Sequence, residues 1–114
     1  MIILAQTAQA LDSGKIKDIA KIEIEKIDPV LLPLQQGLAH SSYVGNSPFK
    51  AIILSFTAEN NIIKVKSGIF YTGIIAGCSC SDDPSPTDEQ TEYCELLFNI
   101  NKNTAETTVI LINN

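Results

Sequence analysis
The sequence has no arginine and no tryptophan, and only one histidine and one methionine. Arginine is the side chain best suited to bidentate contacts with phosphate and guanine. Without it, and with a formal net charge of −5, the chain lacks the electrostatic footprint of a nucleic-acid binder. The same balance disfavours an anionic membrane surface. A single histidine leaves few groups for acid–base work near neutral pH. The patterns Gly-x-Ser-x-Gly and His-Glu-x-x-His are absent, and so is a phosphate-binding loop.

Long apolar runs are missing too. The longest, "GIFYTGIIAGC", is broken by Gly and Thr and falls far short of the ~20 residues a membrane helix needs. The opening "MIILAQTAQA" has no basic residue, and its apolar run is shorter than the ~7–15 residues of a secretory signal. These absences point to a soluble, cytoplasmic protein with neither nucleic acid nor membrane as partner. Three cysteines, an odd number, do not make a disulfide framework.

What is present suits one folded unit. A chain of 114 residues is the size of a single domain, here residues 1–114. Isoleucine fills 17 positions, which favours strands. Charge is unevenly placed. Residues 1–77 hold seven Lys against six acids, while residues 78–114 hold only Lys102 against seven acids.

The pattern predicts an α+β domain with an antiparallel sheet of two hairpins, about 49–77 and 91–112, and one or two helices on one face. Residues 1–13 suit a short helix ended by Gly14, although Met1 to Leu4 fit an edge strand equally well. "AKIEIEK" alternates cleanly, which predicts an earlier strand at about 19–27. Asp28-Pro29 reads as a helix start, and "LPLQQGLAH" as a second helix. "FKAIILSFT" is apolar on both faces, with Phe49, Ala51 and Ile53 on one and Ile52, Leu54 and Phe56 on the other. Such a strand is covered twice or meets a partner. "AENN" and "NKNT" read as hairpin turns, and Gly68 and Gly73 as places for bulges.

All three cysteines lie in "AGCSCSDDPSPTDEQTEYCE". Folded as a hairpin, this region offers a register with Ile74 opposite Ile100, Cys78 opposite Leu96 and Cys80 opposite Cys94. Shifting it by two residues pairs Cys78 with Cys94 and keeps the same apolar face. Residues 82–92 are then the loop, an acidic segment carrying Asp82, Asp83, Asp88, Glu89 and Glu92.

The bland expectation is that the cysteines are small buried side chains, with no cofactor. A Cys₃His zinc site of Cys78, Cys80, Cys94 and His40 is chemically sound, but the spacing departs from paired Cys-x₂₋₄-Cys. A thiol–disulfide switch between Cys80 and Cys94 is disfavoured by the acidic surroundings. The acids do not match an EF-hand loop; they suit a solvated loop or a docking surface for a protein partner. The function expected is therefore non-enzymatic, acting through protein contacts as a homodimer. The alternative is a small zinc or thiol-redox protein. An enzyme built on His40, Tyr43 and loop acids is the weakest reading.

Overall fold
A computed structural model of the chain describes residues 2–10, 14–39, 41–45, 48–74 and 89–113. Within them the fold is α+β. The strands are β1 (Ile2–Ile3), β2 (Tyr43–Val44), β3 (Lys50–Glu59), β4 (Ile62–Ile74), β5 (Glu89–Asn101) and β6 (Glu106–Asn113). The helices are α1 (Ala5–Gln9) and α2 (Ile16–Glu25). All strand pairs are antiparallel, in the order β1-β6-β5-β4. Both β2 and β3 pair with the remaining edge of β4, at different heights along it.

The two turns form where asparagine and small residues allow them. Asn60 takes φ 53° between β3 and β4, a conformation Asn tolerates better than most residues. Ala105 takes φ 63° before β6, and its carbonyl accepts the Leu4 N–H at 3.1 Å. That bond ties the amino-terminal strand to the β5–β6 turn.

Residues 16–25 form a helix, not the strand expected over 19–27. "KIEIE" satisfies both periodicities, and the helical one extends further. Ile16, Ala20 and Ile24 recur every fourth position and are all buried, making one stripe against the sheet. Lys21 and Glu25 pair one turn apart at 2.9 Å. Truncating Ile24, which is fully buried, to Ala should cost about 2–5 kcal/mol.

Asp28 caps the turn that follows by accepting the Val30 N–H, as its sequence predicts. That turn is a single 3-10 turn over Pro29–Leu31. Residues 33–39 form successive turns in place of the second helix. Gly37 donates to the Leu34 carbonyl at 3.1 Å, and Leu32 and Leu34 enter the core.

The bulges lie elsewhere than at the glycines. β3 slips by one residue at Leu54, between Ile53 and Ser55. This slip moves Phe56 onto the same face as Ala51 and Ile53, opposite Val65, where it packs against the core. The strand that reads as apolar on both faces thus turns three of its large side chains inward. Only Ile52 and Leu54 stay exposed. A second irregularity sits between Glu95 and Leu96.

The β4–β5 register also differs from the expected one. Ile74 lies opposite Glu89, and Cys94 opposite Ile69. Ile63, Val65, Ile69 and Tyr71 of β4 share the buried face with Cys94, Leu96, Phe98 and Ile100 of β5. The cysteine faces the core as expected, but Ile74 belongs to the opposite face.

Candidate functional site
Several expected site residues cannot be placed. His40, Cys78, Cys80, Asp82, Asp83 and Asp88 lie outside the described residues. Glu89 opens β5. Glu92 lies inside β5, opposite Tyr71, and is 2% exposed, so its carboxyl belongs to the interior and not to a solvated loop. Among the described residues, no three His, Cys, Asp or Glu side chains come together as a metal set.

Glu92 instead holds a loop. Its Oε1 accepts the Ala39 N–H at 2.9 Å, and its Oε2 accepts the Ser41 hydroxyl at 2.7 Å. A buried carboxylate needs such donors to offset its lost hydration. Beside it, the Tyr71 hydroxyl donates to the Leu34 carbonyl at 2.8 Å and shares a hydrogen bond with the Cys94 thiol. Burial keeps the Tyr71 phenol well above its ordinary range, and Cys94 and Glu92 reinforce the rise.

Burial also pushes the Cys94 thiol up to about 11. The Tyr71 hydroxyl opposes that rise, while the Glu92 and Glu95 carboxylates add to it. A thiol held protonated in this way is a poor nucleophile and a poor metal ligand. Gly37 closes the cluster from above. A Cβ there would stand 2.9 Å from the Cys94 Cβ and 3.1 Å from the Tyr71 hydroxyl. Any metal reaching Cys94 would have to displace this packing.

One open cleft of about 350 Å³ lies between β1 and the end of α2, lined mainly by Ile2, Ile3, Leu4, Ile27 and Leu31. Glu23 at its rim already binds the first turn of α1. Lys26 and Asp28 also line the cleft, and the Asp28 carboxylate accepts the Val30 N–H.

The outward face of the sheet is the other candidate. It carries Ile52, Phe70, Tyr93, Leu97 and Ile110, with Lys64, Lys66 and Glu95 between them. Ile52, Leu54, Phe70, Ile110 and Ile112 are between 38% and 49% exposed. Tyr93 packs against Phe70 with ring centroids 4.8 Å apart and the ring planes tilted by 47°, and its ring lies over Gly68, where a Cβ would meet the Tyr93 hydroxyl. Both charge signs are present, with Lys66 3.6 Å from Glu95. No described element covers this face; Ile24 of α2 lies in the core on the other. The alternation of β4 and β5 could have shown this from sequence, but the Leu54 bulge has no sequence signal of its own.

No protein-family model, curated protein or solved structure matches this chain. No described helix is long and apolar enough to cross a membrane.

Proposed function
We propose that this is a non-enzymatic domain that acts through protein contacts and associates as a homodimer. The observation that supports it is the uncovered sheet face, where Ile52, Leu54, Phe70, Ile110 and Ile112 remain 38–49% exposed. Clustered apolar side chains on a sheet mark contact surfaces more often than chance exposure. The lysines and glutamate between them suit a second copy, because a face with both signs can match its own charges after a two-fold rotation. Cys94 and Glu92, the chemically capable groups near one another, are committed to packing and to holding Ala39 and Ser41.

Sedimentation velocity over about 1–500 µM tests the dimer, since association follows mass action. A mass that rises from monomer to dimer with concentration is expected. A constant monomer mass would remove the homodimer from the reading. The zinc alternative, on Cys78, Cys80, Cys94 and His40, is checked on the same sample by elemental analysis. One equivalent of zinc would replace the contact reading with it.

A further inference from the structure
The outward face of the sheet has its charges in order. Lys64 and Lys66 stand on β4, and Glu95 stands beside them on β5. Lys66 lies 3.6 Å from Glu95, whose other oxygen accepts the Tyr93 hydroxyl at 2.9 Å. A positive strand therefore runs next to a negative one along the middle of the sheet.

The apolar side chains are ordered too, because paired residues lie at one height across a sheet. Ser55, Lys66, Leu97 and Ile110 form one row, and Ile52, Gly68 and Glu95 the next outward-facing row. Leu54 and Ile112 sit in the irregularities between those two rows. Both margins of the face are thus apolar at the same height, with Ile52 and Leu54 on β3 and Ile110 and Ile112 on β6. One row further on, Phe70 lies opposite Tyr93.

We infer that two copies pack these faces together about a two-fold axis that runs along the strands, in the seam between β4 and β5. The inference rests on the homodimer reading above and fixes its orientation. Such a rotation exchanges left and right across the sheet but keeps height. β4 then lies over β5 of the second copy, and β3 over its β6. Phe70 meets Tyr93 of the second copy and Tyr93 meets its Phe70, so four rings gather at the axis. Lys66 comes within one row of Glu95 of the second copy, and the two ion pairs close into a square of alternating sign. Ile52 and Leu54 meet Ile110 and Ile112. All five exposed apolar residues of the face are covered. Face-packed sheets cross at about 30°, which tilts the axis about 15° from the strands.

The other two-fold in the contact plane, across the strands, serves the face badly. It lays β4 on β4 and brings the lysines of the two copies together, which is costly. Set between the rows of Lys66 and Gly68, it joins the margins but turns Phe70 onto Lys64. Set at Phe70, it carries Ile52 past the end of β3 and Ile110 past the end of β6. Along the strands, the one like pair is Glu59 with Glu106 of the second copy. Both are exposed at a corner, where salt screens them. The shared rows span about 30 Å and the four strands about 20 Å, roughly 600 Å² per copy. That is somewhat below the ~800 Å² per partner of a standard interface, which fits a reversible dimer.

Sedimentation velocity tests the face. Phe70 is 41% and Ile110 49% exposed, so Phe70→Lys and Ile110→Lys leave the core intact. Each should weaken association about tenfold or more. Cross-linking tests the axis, in a chain with Cys78 and Cys80 replaced by Ser and the buried Cys94 kept. A short bis-maleimide should join an equimolar mixture of Ser55→Cys and Ile110→Cys copies, because these positions share a row on facing margins. Ile110→Cys alone should stay unjoined, since its two copies stand roughly 17 Å apart by strand and sheet spacing.

A dimer of unaltered strength in either lysine variant would overturn the face contact and leave a homodimer formed elsewhere. Ile110→Cys copies that join each other as readily as the mixture would overturn the axis and leave the face. A dimer in which the mixture stays unjoined would overturn the axis as well. A protein monomeric at every concentration would end both this geometry and the homodimer reading.

Discussion

Glu23 of α2 holds the first turn of α1, accepting both the Thr7 N–H at 2.7 Å and the Thr7 hydroxyl at 2.6 Å on one carboxylate oxygen. Its other oxygen accepts the Gln6 N–H at 3.0 Å. These are amide groups that a helix start leaves without intrahelical partners. The residue before α1, Leu4, has no side chain able to cap, so α2 supplies the cap from outside.

Glu23→Ala should therefore destabilise the fold by about 2 kcal/mol, because Thr7 is fully buried and its hydroxyl would lose its acceptor. A lower urea midpoint with an unchanged slope is expected. A change confined to a few tenths would show that water replaces the cap.

Glu92 is the second carboxylate with a holding role. Glu92→Ala leaves the Ala39 N–H and Ser41 hydroxyl without this partner and should cost about 2–3 kcal/mol. The loss should be local. Faster amide exchange is expected at residue 39 and around residue 41, with less change at the β5–β6 turn.

Cys94 should be inert in the native state. With its thiol pushed up to about 11, the thiolate fraction at pH 8 is about one in a thousand. Alkylation of Cys94, read by peptide mass, should be slow natively and fast after unfolding. The raised value also has a stability sign. The unfolded thiol ionises first, near 9, so this contribution is intact below that pH and is lost as pH rises through about 11. Thermal midpoints should fall across that window, and less so in Cys94→Ala.

Glu25 gives the opposite dependence. Its carboxyl is lowered, chiefly by the Ala51 N–H, with burial opposing and Lys21 assisting. A lowered group stabilises the fold above its unfolded value, and that stability is lost as pH falls through the native one. Glu25→Gln should be less stable than the unaltered protein near neutral pH. The gap should narrow below about pH 4.

Much of the sheet was legible in the sequence. Residues 50–59, 62–74 and 106–113 carry strand patterns, and the Asn-rich turns between paired strands mark the hairpins. The helix at 16–25 was not legible from "AKIEIEK" alone. Ile22 and Ile24 alternate with lysine and glutamate, and only the wider window, with Ile16 and Ala20, shows the four-residue stripe. What decides between the two patterns is tertiary: Glu23 reaches α1 and Glu25 reaches β3. Likewise, Glu92 reads as the last acid of a polar loop. Its burial depends on a register in which Ile74 pairs with Glu89, and side-chain alternation fixes the phase of a strand but not how far it slides. The 33–39 segment shows the same limit. Gly37 looks like a flaw in a helix, whereas its lack of a side chain is what Cys94 and Tyr71 require.

The hydrogen bond from Ala51 to Glu25 removes one amide from the margin of the sheet. An unpaired backbone group on an edge strand is a template for a strand of another chain. At the start of β3 that group is already taken by the protein's own helix, so α2, whose Ile24 lies in the core, also blunts the edge beside it.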